Sequence, residues 1–173
     1  MLPSKVKWID ATTGEEIKAP YKEPTLKKEM QALQYANTIN DLLPQYIRKD
    51  KWEMQDGKIY DMIVIERLYI LPIHHFDLEI RKTMMPIFEE KMKELHDNDF
   101  VHGDFCRPTN FYTRNNLEWV YKNIVQTEQG LRLIDTGFSK YSPKEKAIKD
   151  FLMYRYDERQ EIPYFKKYYL EEK

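Results

Sequence analysis

Two short apolar segments that each deliver an aspartate constrain this chain more than any other feature of its sequence. Phe100 to Asp104 reads Phe-Val-His-Gly-Asp, and Leu131 to Gly137 reads Leu-Arg-Leu-Ile-Asp-Thr-Gly. Short apolar runs of this kind favour buried strands, so each aspartate is expected on a rigid support. One carboxylate can then orient a hydroxyl group and accept its proton, while the other can hold a divalent metal on a polyphosphate.

The composition indicates one domain and excludes several classes of protein. The chain has 173 residues, of which 42% are hydrophobic and 14% aromatic, and this is enough to bury a core. The 28 basic and 29 acidic residues nearly cancel, which does not favour a dedicated nucleic-acid binder. No apolar run approaches the roughly 20 residues of a membrane span, and Met1 to Lys5 lacks the apolar core of a signal peptide. The single cysteine allows no internal disulfide, so we expect a cytoplasmic protein. From the balanced charge and the lack of a long apolar run, we expect no nucleic-acid or membrane partner.

The first half of the chain is predicted to form two hairpins separated by a helix. Residues 5–21 alternate around a glycine-containing turn, which is typical of a β-hairpin. Helical spacing of apolar residues predicts a helix from Thr25 to Leu43, ended by the proline that follows. Asp56-Gly57 is a hairpin turn signal, and the β-branched run from Met62 to Ile65 predicts a buried strand after it.

The second half is predicted to be mainly helical. Asp77 is suited to cap a short helix that runs through Lys82, and Pro86 to start a second, stronger helix. Residues 143–156 and 163–172 are charged, rich in tyrosine and also predicted to be helical.

A third hairpin is predicted to carry the second aspartate. Its strands flank the turn Glu128-Gln129-Gly130. Centring the turn on its middle residue places Asn123 opposite Asp135, so these two side chains are expected to face each other across the hairpin.

His102-Gly103-Asp104, a later asparagine and Leu133-Ile134-Asp135-x-Gly137 together resemble the catalytic core of the protein-kinase-like superfamily. The His-Gly-Asp form is most similar to the aminoglycoside and choline kinase branch and to small bacterial kinase-like proteins. The resemblance covers roughly residues 60–140. It implies a single α+β domain with a reduced protein-kinase-like bilobal fold, in which 1–68 form a truncated N-lobe sheet and 69–173 a small helical C-lobe.

The resemblance also implies roles for the acidic and amide side chains. Asp104 would be the catalytic carboxylate, and Asp135 would bind Mg²⁺ on the phosphates of ATP. The second metal ligand would be either Asn123, which lies 12 residues before Asp135, or Asn110, which lies one residue beyond the family's usual position. Gly103 replaces the arginine of typical protein kinases, which favours an enzyme not controlled by a phosphorylated activation loop.

The sequence has fewer of the family's nucleotide-binding motifs than of its catalytic ones. The chain has only five glycines and no glycine-rich phosphate loop. The resemblance places an ion pair between a strand lysine, for which Lys18 is preferred, and the helix residue Glu29. Backbone groups near Glu66 and Leu68 would meet the adenine at the hinge.

These assignments predict an ATP- and magnesium-dependent phosphotransferase that acts on a hydroxyl of a protein or a small molecule. The missing glycine-rich loop leaves an alternative, a catalytically inactive pseudokinase that serves as a binding module. Ile134-Asp135-Thr136-Gly137 also matches the Asp-Thr-Gly of aspartic proteases, but that fold is nearly all β, whereas the sequence after Gly137 reads as helical.

Overall fold

The computed structural model describes residues 25–104, 121–137, 139–141 and 158–171, together with the backbone of 8–9 and 16–17. Within these ranges, the secondary structure mixes short strands with three helices. The strands are β1 Trp8–Ile9, β2 Glu16–Ile17, β3 Tyr46–Glu53, β4 Ile59–Ile65, β5 Phe100–Val101, β6 Ile124–Thr127, β7 Gly130–Leu133 and β8 Lys140–Tyr141. The helices are α1 Leu26–Asn37, α2 Leu78–Asp97 and α3 Ile162–Tyr169, the last preceded by a 3₁₀ turn at Glu158–Gln160. The predicted α+β class is therefore confirmed.

The described strands form four separate two-stranded antiparallel ladders rather than one large sheet. β1 pairs with β2, β3 with β4, β6 with β7, and β5 with the distant β8. The β1–β2 pair lies within the predicted N-terminal hairpin, and β3–β4 is the hairpin predicted from Asp56-Gly57. Gly57 has a φ of +78°, a conformation that glycine adopts without steric cost.

Helix α1 starts where predicted but ends six residues early. Its N-cap is Thr25, whose hydroxyl accepts a hydrogen bond from the Lys28 N–H at 3.3 Å. The helix stops at Asn37 instead of Leu43 because Asn37 bonds to the chain beyond it: its amide donates to the Pro44 carbonyl and accepts from the Tyr46 N–H. Short polar side chains of this type compete with helical hydrogen bonding, which explains the early end.

Helix α2 is one continuous helix, so the prediction of two helices divided before Pro86 was wrong. Pro86 lies exposed inside the helix, where it removes one backbone hydrogen bond. The buried face runs through the proline without interruption, and its apolar residues recur every three or four positions: Met85, Phe88, Met92 and Leu95. Burial of this stripe in the core offsets the lost hydrogen bond.

The β6–β7 hairpin forms as predicted, but its register differs from the prediction by one residue. Ile124 pairs with Leu133, and the turn between the strands contains two residues rather than three. The residue opposite Asn123 is therefore Ile134, whose N–H donates to the Asn123 carbonyl at 3.0 Å. Asp135 lies one position further on, beyond the end of the strand.

One hydrophobic core joins these elements. It contains side chains from α1, α2, β5, β6, β7 and α3, so buried residues on both sides of position 68 belong to the same cluster. Aromatic rings dominate where α3 packs on α2: Phe165 lies between Phe88 and Tyr169, with ring centroids 5.5 and 5.7 Å away. The division into lobes at residue 68 stays a prediction, as does the kinase-like arrangement. In the described ranges, no helix combines the length and apolar character needed to cross a membrane.

Candidate active site

The loop after β5 carries the first aspartate in a sharply turned backbone. β5 ends at Val101, and His102-Gly103-Asp104 follow directly. Gly103 has a φ of +79°, which a side chain would strain. This gives a local reason for glycine at the position where typical protein kinases have arginine.

A buried glutamate that the sequence did not single out holds this loop. Glu158 lies in the 3₁₀ turn, and its Oε1 accepts from the His102 N–H at 3.0 Å while its Oε2 accepts from the Gly103 N–H at 3.0 Å. His96 of α2 adds a third bond through Nε2, 2.8 Å from Oε1. The Glu158 side chain is only 1% exposed. Burial raises the pKa of Glu158, but the hydrogen bonds and charges of its neighbours, His96 first among them, together outweigh burial, so its pKa is held below the usual 4.5.

His102 connects the two aspartate motifs. Its ring is fully buried, and Nε2 lies 2.9 Å from the carbonyl oxygen of Ile134. Because a carbonyl can only accept, this nitrogen carries the proton, and Nδ1 is left to accept from the Asp104 N–H at 3.3 Å. The ring thus ties the loop of Asp104 to the residue directly before Asp135.

Asn123 contacts the proposed catalytic carboxylate. Its Nδ2 donates to the backbone oxygen of Asp104 at 2.8 Å and to Oδ2 of the same residue at 2.9 Å. Both partners are acceptors, so the amide nitrogen must face them and the amide oxygen must point elsewhere. Lys122 also approaches, with Nζ 3.8 Å from Asp104 Oδ2. Asn110, the other candidate ligand, lies outside the described residues.

Asp135 lies exposed at the end of the second motif. Its φ of +66° places it in the left-handed region, and its Oδ1 accepts from the Gly137 N–H at 3.0 Å. The next residue, Thr136, is buried and donates its hydroxyl to the carbonyl of Glu29 at 3.1 Å. Helix α1 is therefore attached directly to the segment that carries Asp135.

Glu29 is brought into the same electrostatic environment. Burial raises the pKa of the Glu29 carboxyl above its usual 4.5, and the negative charge of Asp135 raises it further. A cation held by both carboxylates would relieve this repulsion. Lys18, the predicted partner of Glu29, lies outside the described residues, although β2 ends one residue before it.

Replacing Glu29 with glutamine is expected to raise the Tm at pH 7. Because folding raises the pKa of this carboxyl, the folded protein loses stability as the pH rises from about 4.5 through the folded-state pKa. Glutamine does not ionise, so the variant does not lose this stability. The Tm of Glu29→Gln should exceed that of the wild type at pH 7, and the two should converge below pH 4.5. Thermal unfolding across this pH range measures the difference, with the exposed Glu90→Gln as control. A lower Tm for Glu29→Gln at every pH would contradict the prediction.

The predicted hinge residues lie at the end of β4, where Glu66 makes contacts within the chain. Its N–H donates to the Gln45 carbonyl at 2.8 Å, and its Oε2 accepts from Arg132 Nη2 at 2.8 Å. Burial raises the pKa of Glu66, but the hydrogen bonds from Arg132 and the Gln45 N–H, together with the charge of Arg132, lower it by more, so its pKa lies below the usual 4.5. Leu68 is half-buried and lines a cavity of about 630 Å³. Adenine contacts at these two residues stay a prediction, and the Glu66 N–H already has a partner.

The oxygen ligands at this site suit Mg²⁺ better than a metal ion that is coordinated by protein ligands alone. Within the described ranges, no group of three or more His, Cys, Asp or Glu residues could hold a metal ion. Magnesium commonly uses one or two carboxylates, with water and phosphate oxygens completing its octahedron. Asp135 and the amide oxygen of Asn123 offer oxygen ligands of the required kind.

No model of a known protein family matches the sequence, and no curated protein is significantly similar to it. The geometry of the site therefore carries the functional argument.

Proposed function

We propose that this protein is an ATP- and magnesium-dependent phosphotransferase that transfers the γ-phosphoryl group to a hydroxyl. One observation carries the proposal: Asp104 is tied to the hairpin that leads to Asp135 through both Asn123 and His102. An acid beside the acceptor and a second acid for the metal are the two carboxylates that phosphoryl transfer requires.

Asp104 is the group that would act on the acceptor. The acceptor hydroxyl oxygen forms a bond to the γ-phosphorus while the bond from that phosphorus to the β–γ bridging oxygen breaks, and ADP leaves. The hydroxyl proton passes to the Asp104 carboxylate late in the transfer. The amide of Asn123 holds Oδ2 of that carboxylate, so the hydroxyl is oriented by a carboxylate whose position is fixed.

Asp135 and the amide oxygen of Asn123 would hold the metal. Bound Mg²⁺ would neutralise charge on the phosphates and align them for displacement. Because the amide nitrogen of Asn123 is engaged with Asp104, one side chain would fix the distance between the acceptor side and the metal side of the site.

Magnesium-dependent binding of ATP tests the metal site directly. With ATP at about 100 times its Kd, ligand binding stabilises a protein by about 2.7 kcal/mol, which corresponds to a Tm increase of roughly 5–11 °C for a chain of this size. We expect this increase with Mg²⁺ and a much smaller one with EDTA. Asp135→Asn should abolish the magnesium-dependent part without loss of folding, because asparagine tolerates the left-handed φ of +66°.

Asp61→Asn serves as the matched control, since Asp61 is exposed on β4 and pairs with Lys49 at 2.9 Å, away from the loops of both motifs. It should retain the full magnesium-dependent increase. An equal increase in the wild type and Asp135→Asn would remove Asp135 from the proposed site.

A binding module without catalysis is the second candidate, and the Glu66 contacts favour it. The backbone N–H that was expected to meet adenine donates instead to Gln45. Absence of any Tm change at millimolar ATP with Mg²⁺ would favour this candidate over the enzyme.

A further inference from the structure

A cavity of about 360 Å³ lies beside the proposed catalytic carboxylate. It is open to solvent and is lined by the segment 70–74, by residues of the β6 region and by Tyr168 of α3. Lys122 lines it, and the Nζ of this lysine is 3.8 Å from Asp104 Oδ2. Asp104 itself does not line the cavity, but a molecule that contacts the Lys122 ammonium from the cavity would lie close to the carboxylate that is proposed to accept the hydroxyl proton.

The walls of this cavity are mostly apolar. Isoleucine, valine and tyrosine side chains contribute most of them: Ile70, Ile73, Tyr121, Ile124, Val125 and Tyr168. A volume of this size accommodates a small organic molecule, and apolar walls with a few polar groups are typical of such sites.

The polar groups of the cavity are basic or neutral. His74 lines the cavity, and its Nε2 donates to the Tyr168 carbonyl at 3.0 Å. The His74 Nδ1 is buried, so it is not exposed to the cavity, and it finds no hydrogen-bond partner among the described residues. Of the described residues that line the cavity, Lys122 alone is permanently charged and none is acidic.

The negative charge of Asp104 does not make the cavity favour a cation. Its Oδ2 accepts from the Asn123 amide and also faces the Lys122 ammonium, so two donors already offset the carboxylate. A cationic ligand would enter an apolar cavity whose own charge is positive, and a carboxylate would find the lysine.

We propose that this cavity binds the acceptor and selects a hydroxy acid: an apolar body bearing a carboxylate with a hydroxyl a few bonds away. This inference rests on the proposed function. The carboxylate pairs with Lys122, the neighbouring hydroxyl bonds to Asp104, and the body lies against the apolar walls. The cavity is unsuited to choline or to an aminoglycoside, both of which are cations, although the His-Gly-Asp motif is most similar to kinases that act on them.

Two probes of nearly the same shape test the charge selection without nucleotide. Phenyllactate carries a hydroxyl beside a carboxylate on a benzyl group, and phenylalaninol carries a hydroxyl beside an ammonium on the same group. Binding of each is measured by titration calorimetry on the full chain. One unit charge pair at 4 Å contributes about fivefold in affinity even at the dielectric constant of water, so phenyllactate should bind at least about fivefold more tightly.

Variants of Lys122 assign the preference to this side chain. Lys122→Met should remove the preference for phenyllactate, because Asp104 is then the charge nearest the ligand, and Lys122→Glu should favour phenylalaninol more strongly. Lys58→Glu is the matched control, because Lys58 is exposed at the β3–β4 turn and pairs with Asp56 at 2.9 Å. It should leave the preference unchanged.

Three results would overturn the inference: equal or weaker binding of phenyllactate in the wild type, no binding of either probe at millimolar concentration, or displacement of phenyllactate by Mg·ATP. These outcomes are distinct from failure of the proposed function. If phenyllactate binds as expected but Mg·ATP does not bind, the phosphotransfer proposal fails. If Mg·ATP binding depends on Asp135 but the probes show no charge preference, only the acceptor assignment fails.

Discussion

Glu158→Ala is expected to lower the Tm by roughly 6–20 °C. Removing one partner from a buried, hydrogen-bonded charge pair costs about 3–5 kcal/mol, and each kcal/mol corresponds to about 2–4 °C for a chain of this length. Three donors would lose their acceptor at once: the backbone N–H groups of His102 and Gly103, and Nε2 of His96. The alanine would also leave a cavity in a closely packed region.

Glu158→Gln separates charge and hydrogen bonding from packing. The amide has the same shape, but its NH₂ must face a backbone N–H donor, because both carboxylate oxygens of the wild type accept. We expect an intermediate Tm. Since the folded-state pKa of Glu158 lies below 4.5, its ionised form contributes stability above about pH 4.5 that is lost as the pH falls through the lower value. The Tm difference between wild type and Glu158→Gln should therefore shrink between pH 5 and pH 3.

Thermal unfolding by circular dichroism measures both effects, and Glu90→Ala is the control because Glu90 is exposed on α2. A Tm for Glu158→Ala equal to that of Glu90→Ala would contradict the role assigned to Glu158. The outcome is independent of whether the protein is a kinase, since it depends only on the buried contacts.

Asp104→Asn is expected to lower phosphoryl transfer by about 10²–10⁴-fold while leaving the Mg·ATP-dependent Tm increase intact. A positioned general base contributes about this factor, and the asparagine side chain cannot accept the hydroxyl proton. The fold should be retained, because the amide oxygen of the new side chain can still accept from Asn123 Nδ2.

Release of ADP and formation of the phosphorylated acceptor measure the transfer, with phenyllactate as the first acceptor to be tried. Asp61→Asn should transfer at the wild-type rate. If Asp104→Asn remained within twofold of the wild type, Asp104 would not be the base. If it lost Mg·ATP binding as well, its role would lie in the metal site instead.

Local signals in the sequence predicted the supports of the site. Glycine-containing turns located the β3–β4 and β6–β7 hairpins, and apolar spacing located α1, α2 and α3. The boundaries failed where tertiary contacts overrode a local rule. Pro86 was expected to start a helix, yet the buried stripe of α2 carries the helix through it, and Asn37 ends α1 by bonding to residues that lie beyond the helix.

Glu158 was missed because nothing local marks it. It lies more than fifty residues after the loop that it holds, in a charged stretch with several other acids. The one signal in the sequence is indirect: a sharp glycine turn in a buried loop exposes backbone N–H groups that need an acceptor, but that need does not say which acid supplies it. Long-range contacts of this kind can be identified only after the fold is known.

The two-residue turn of the β6–β7 hairpin has a consequence for how this chain can tolerate insertions. Adding or deleting one residue at Glu128 or Gln129 would shift the pairing by one position, and side chains on one strand would exchange faces. Asn123 would then turn away from Asp104, although neither the length nor the composition of either motif had changed. Surface loops usually tolerate changes in length, but the length of this exposed turn determines whether Asn123 can contact Asp104.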